Sequence, residues 1–224
     1  MRPALLCLLA ALLPATACTT APFRPTEPTR TRPTTAAALV ANLWTAGNGT
    51  FLIRQSGLLE FQGARMPMVG ILKLDTGNKT ARLVGMDDMG VKLFDLSVDR
   101  RSSRTHFTLP ALDRYPGLAG AVSDSVRRIF LEPEPAEGDA LAIDPHQYRL
   151  SRDRDGTSIR FLLGGQDAQL QKKSCSGPNE RWEVRYHEYR RRLDLPVPDG
   201  IVLDDYRAGY RLTLWTESVA RADE

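Results

Sequence analysis

Cysteine is scarce in this chain, and its placement excludes a disulfide-stapled scaffold. The three copies are Cys7, Cys18 and Cys175. The first two fall in the opening eighteen residues, so Cys175 has no second thiol in the body of the chain to pair with. It reads as an unpaired bystander in a loop. Histidine is equally sparse: His106, His146 and His187 stand too far apart to suggest a metal site. An excess of one charge is also missing. Thirty Lys and Arg face 27 Asp and Glu, a balance that argues against a dedicated nucleic-acid binder. The short basic runs Arg100-Arg101, Lys172-Lys173 and Arg190–Arg192 read as solvated faces, with anionic lipid or a partner as the alternative.

Enzyme signatures are lacking too. Neither G-x-S-x-G nor S-x-x-K occurs. His187-Glu188 opens like a zinc-protease helix motif, but Arg191 stands where the second histidine belongs. Leu74-Asp75-Thr76-Gly77 resembles an aspartic-protease loop, yet that chemistry needs two carboxylates sharing a proton and there is one copy. Asp75 to Asn78 reads instead as a hairpin turn. The expectation is a protein that is not an enzyme and carries no cofactor or metal.

Met1-Arg2 is followed by an apolar run from Ala4 to Leu13, too short for the roughly 20 residues that span a bilayer. Residues 1–17 therefore read as a signal peptide. Ala15-Thr16-Ala17 precedes Cys18 as in a lipobox, and the expected product is acylated at Cys18 and held on the periplasmic face of the outer membrane. Ala15 stands where leucine is usual, and an ordinary signal peptidase would cut at the same bond to leave a soluble protein. Residues 18–35 are rich in Pro, Thr and Arg, with little to bury. They read as a tether reaching roughly 50 Å if extended.

The body, read as one domain over residues 36–218 with a tail at 219–224, opens on a helix from a Thr34 or Thr35 cap toward Thr45. From Thr50 the period changes to two, with strands over 50–56, 58–62, 66–75, 80–86 and 91–98 parted by turn residues. A helix follows Pro116 and stops at Pro133 and Pro135. Strands resume over 148–152, 158–163, 168–172, 181–189, 201–203 and 210–216. The pattern is mainly β: an antiparallel meander curved round an apolar face, with helices plugging it.

Phe51–Phe61 (FLIRQSGLLEF), Leu83–Val98 (LVGMDDMGVKLFDLSV) and Ile201–Leu214 (IVLDDYRAGYRLTL) resemble the lipoproteins related to the periplasmic carrier LolA and the outer-membrane receptor LolB. Within that group the chain is most similar to an uncharacterised family, a domain of unknown function often encoded in aryl-polyene biosynthesis clusters. The resemblance implies an unclosed antiparallel β-barrel of about 10–11 strands with a few covering helices, whose interior holds acyl chains. Its diffuse sheet motifs speak to fold more than to function. The LolB-type membrane-insertion loop has no clear counterpart; Ala64–Met68 is the nearest candidate.

The residues expected to line the cavity are Phe51, Ile53, Met68, Leu72, Leu74, Phe94, Phe161, Trp182, Val184, Tyr186, Leu212 and Leu214, although Phe94 and Phe161 would also fit the convex face beneath a helix. The expected partner is a lipid or an acylated client, with membrane contact through Cys18. The rival expectation is an assembly lipoprotein whose core is simply packed.

Overall fold

The computed structural model describes residues 22–61 and 63–222. The signal peptide at 1–17 and the acylation site at Cys18 lie outside the described residues. Twelve strands form one sheet: β1 (Thr50–Phe61), β2 (Ala64–Asp75), β3 (Thr80–Met86), β4 (Lys92–Val98), β5 (Ser103–Thr108), β6 (Ala140–Asp144), β7 (Gln147–Arg154), β8 (Thr157–Gly164), β9 (Gln169–Ser176), β10 (Arg181–Arg192), β11 (Leu195–Asp205) and β12 (Tyr210–Arg221). Their order is β5-β4-β3-β2-β1-β12-β11-β10-β9-β8-β7-β6, every pairing is antiparallel, and β5 and β6 are left as open edges. The result is the unclosed, helix-covered half-barrel expected from the sequence.

Strand alternation sorts the side chains. Phe51, Ile53, Leu59, Leu72, Leu74, Phe94, Leu96, Leu150, Phe161, Leu163, Trp182, Val184, Tyr186, Ile201, Leu203 and Leu212 belong to one apolar core on the concave side. The convex side carries a ladder of ion pairs across four strands, running Lys172–Glu183–Arg185–Asp204–Arg211. Charge on every second position keeps that face wet and sets the register, because a one-residue slip would turn these groups into the core.

Two helices occupy the concave side. α1 (Ala36–Ala41) starts where Thr35 Oγ1 accepts from Ala38 N–H and ends at Asn42, a turn short of Thr45. α2 (Leu118–Val126) follows Gly117, whose φ of 83° suits glycine, and continues as a π-turn over Arg127–Leu131. Leu118, Val122, Val126, Ile129, Phe130 and Leu131 point into the core.

Several details differ from the sequence reading. Gly57 does not divide two strands, because Leu214 and Met68 side chains close over it and β1 runs through. β5 and β6 are strands beyond those expected: both are edge strands, residues 103–107 of β5 are exposed throughout, and β6 buries none of its residues fully, so no alternation marks either. Ala64–Met68 is no loop but the start of β2, with Met66 and Met68 packed against the core. The tail begins later than residue 218, since Val219, Ala220 and Arg221 pair with Ile53, Leu52 and Phe51. Lys172-Lys173 is not a solvated pair, because Lys173 is buried on the concave side. Residues 22–35 are not a free tether either. They lie along the domain through two aromatic contacts of Phe23 and several hydrogen bonds to strand ends, attachments that hydropathy does not register.

Candidate lipid site

Gly57 of β1 and Gly70 of β2 form part of the concave floor beneath α2, and Gly70 is paired with Gly85 of β3. A Cβ at Gly85 would overlap the Phe94 ring, which lies across that glycine from β4. α2 passes over this floor and encloses a cavity of about 40 Å³ lined by Leu59, Met68, Leu72, Leu83, Phe94, Val122, Val126, Ile129, Phe130, Leu212 and Leu214. The polar side chains at its wall are Gln55 and Ser125. Gln55 Nε2 donates to Thr216 Oγ1 at 3.2 Å, and the Ser125 hydroxyl lies 2.8 Å from that of Tyr210. Neither wall group is left for an apolar occupant to offend.

Of the twelve residues expected at the cavity, Met68, Leu72, Phe94, Leu212 and Leu214 line it. Phe51, Ile53, Leu74, Phe161, Trp182, Val184 and Tyr186 are in the same core beneath the helices, away from the void. Phe94 and Phe161 both face the concave side.

The C-terminal half of the lid is clamped by polar bonds. The carbonyls of Arg128 and Ile129, orphaned at the helix end, accept from Lys173 Nζ at 3.3 and 3.2 Å, and the Tyr186 hydroxyl donates to Ile129 O at 2.7 Å. Arg128 pairs with Asp205 at 2.5 Å, and Arg127 donates to the carbonyls of Asp99 and Ser102. Burial brings the Lys173 ammonium down to about 8, and the nearby Glu134 carboxylate offsets only part of that. Burial also pushes the Tyr186 phenol well up, so it stays a donor. Further forward, Leu118 and Val122 engage the core through apolar contacts, and between them the Tyr210 hydroxyl donates to Ala121 O at 3.2 Å and lies 2.8 Å from the Ser125 hydroxyl. The lid is therefore fastened most heavily at its π-turn, with Tyr210, among the described residues, as the single polar tie of its leading half to the sheet.

Sequence reasoning missed Lys173, Tyr186 as a lid clamp, and the glycine floor. Lys173 does fall in phase with Cys175 on β9, the one available signal. The Asp75 turn is as expected: its carboxylate accepts from Asn78 N and Nδ2, both at 2.8 Å.

No protein-family model and no curated protein matches the chain. Solved structures do. The chain is similar to a LolA superfamily protein, NE2245, from Nitrosomonas europaea at 12% identity and a TM-score of 0.55, over 86% of this chain and 96% of that one. It is also similar to a domain assigned to outer-membrane lipoprotein sorting from Vibrio parahaemolyticus, at 12% identity and a TM-score of 0.50, over 79% and 86%. At such identities the likeness is one of architecture, and this chain has the LolA-like fold: an open antiparallel half-barrel with helices across its mouth.

Proposed function

We propose that the protein is an envelope lipoprotein, anchored through Cys18, that binds or transfers a lipid, an acyl chain or an acylated client in the half-barrel, without catalysing a reaction. The observation that carries this reading is the apolar void between the sheet floor at Gly57 and Gly70 and the helix α2 that covers it. A void of about 40 Å³ has room for a few water-sized groups, each needing ~10–15 Å³, and not for an acyl chain. Entry requires the Gly117 end of α2 to swing out, releasing Ala121 O from the Tyr210 hydroxyl, while the Lys173 and Tyr186 clamps hold the π-turn. Each methylene then buried contributes about 0.8 kcal/mol, so a chain of several carbons offsets the apolar lid contacts it replaces. Met89, 84% exposed on the β3–β4 turn, and Val91 beside it give the domain an apolar tip for meeting a bilayer.

The small void also favours a second reading, an assembly lipoprotein with a packed core. Native mass spectrometry of the chain carrying Cys18→Ser separates the two. Co-purified lipid, or stoichiometric uptake of a fluorescent fatty acid, supports carriage. Ligand-free protein that takes up no probe while its lid amides exchange freely refutes it.

A further inference from the structure

The register of the last three long strands builds a notch on the convex face. His187 of β10 is paired with Gly200 of β11, and Gly200 with Trp215 of β12, so two aromatic rings flank a position without a side chain. Phe23 fills it. Its ring stacks on His187 at 5.3 Å and 23° and leans on Trp215 at 5.7 Å and 52°. A Cβ at Gly200 would overlap the Phe23 ring. From there the chain runs over successive strand ends. Arg24 N–H donates to Glu188 Oε1 at 2.9 Å, and Thr26 rests against Gly165 in the β8–β9 turn. Thr31 N–H and Oγ1 donate to the carbonyls of Pro145 and Asp144, and Arg32 N–H donates to the Tyr148 hydroxyl.

We propose that the His187–Gly200–Trp215 notch is a docking site for the chain's own Phe23, and that its occupancy sets how far the folded domain stands from the bilayer. Five residue steps separate Cys18 from Phe23, at most about 18 Å of chain. With Phe23 released, thirteen steps separate Cys18 from Thr31, at most about 47 Å. The docked domain is held against the membrane with the β10–β12 convex face nearest the lipid. The released domain gains the reach to meet a partner away from it. The distances rest on acylation at Cys18; the notch does not.

Two readouts keep these apart. Amide hydrogen exchange of the Cys18→Ser chain tests docking: the amides of Arg24, which donates to Glu188, and of Thr31, which donates to Pro145 O, are protected. Phe23→Ala raises exchange at Arg24 roughly 30-fold, the factor that burial of one partly covered phenyl ring, about 2 kcal/mol, corresponds to, and leaves Thr31 protected. Gly200→Ala does the same with Phe23 intact, by filling the notch. Melting temperature reports that both variants fold. Unprotected amides in the parent, or exchange unmoved by Phe23→Ala, overturn the docking site.

For distance, the processed lipoprotein carries a donor dye at Ser218→Cys, an exposed position, while buried Cys175 does not compete for label. It is placed on vesicles of phosphatidylethanolamine and phosphatidylglycerol bearing a headgroup acceptor dye. Energy transfer falls when Phe23→Ala is introduced. Unchanged transfer, or no vesicle binding by the processed chain, overturns the distance half of the proposal while protected amides leave the notch standing.

Discussion

Replacing Lys173 by methionine keeps most of the side-chain volume and removes the ammonium that caps the lid. Burial lowers this lysine from 10.5 to about 8, so the folded protein gives up its proton near pH 8 while the unfolded chain keeps it to about 10.4. Between those values the unfolded state binds more protons, and stability rises with pH. The contribution of Lys173 is fully present above the unfolded value and is lost as pH falls through 8. From pH 8 to pH 9 the folded-state titration adds about 1 kcal/mol, at 1.36 kcal/mol per unit weighted by the changing ionised fraction. Cys175 works the other way: burial and the nearby Glu180 push its thiol up to about 12, which removes a few tenths of a kcal/mol over the same interval. The methionine variant retains that loss. Urea unfolding of both proteins at pH 7, 8 and 9 therefore isolates the lysine as the difference in slope. The wild type gains on the variant by about 1 kcal/mol between pH 8 and 9, a relative shift in melting temperature of ~2–4 °C for a chain of this size. Parallel stability curves would mean that Lys173 keeps its proton in both states, and the argument for a costly buried ammonium at the lid would fail.

Leu212→Ala enlarges the void it lines and should cost about 2–4 kcal/mol; if the void is the start of a lipid site, fatty-acid probe uptake rises as the melting temperature falls, whereas a loss of stability with no uptake supports the packed core. Cys175, buried with a raised thiol, should resist alkylation at pH 8 in the native state and react once urea is added; labelling of the folded chain would show that β9 opens locally. Hydrogen bonds from Asn78 hold the Asp75 carboxylate below its usual range, so its stabilising effect is present above pH 3.8 and lost on further acidification. Asp75→Asn keeps the turn and should change stability by less than ~0.5 kcal/mol near neutrality, a result checked by thermal melting. Gly85→Val drives a side chain into the Phe94 ring and should lower stability by ~1–3 kcal/mol through overpacking; a neutral melt would show that Phe94 has room to turn away.

The sheet was legible wherever one face is wet. Trp182, Val184 and Tyr186 alternate with Glu183, Arg185 and His187, and the structure places the two sets on opposite sides. Legibility failed at the edges, where β5 has no buried face to impose a period, and at Gly57, where the signal of a break is identical to that of a glycine overlaid by neighbours. The candidate site was legible as a face and not as a volume. Periodicity says that Phe51, Leu74 and Leu212 point the same way, but α2 decides which of them meet a void. Lys173 was misread for a similar reason: a lysine beside a lysine looks solvated until the carbonyls of a remote helix end are known to need donors. Phe23 lay in a stretch whose composition gave no cause to order it, because the notch exists only through pairing among β10, β11 and β12.

The strand order has a temporal consequence. β1 and β12 pair at the middle of the sheet, Phe51 opposite Arg221, while every other neighbour is adjacent in sequence. The protein is thus two meanders, β1–β5 and β6–β12, joined by the lid segment and by one seam that requires the final strand. A chain delivered N-terminus first, from a ribosome or through a narrow channel, can form each meander locally, but β1 waits with one edge unpaired until β12 arrives. Loop closure over so long a separation is slow, and completion of the sheet is tied to the arrival of β12. Cleaving the backbone within the lid should therefore leave two fragments able to reassociate along that seam, whereas shortening the chain before β12 leaves two half-sheets linked by the lid segment alone.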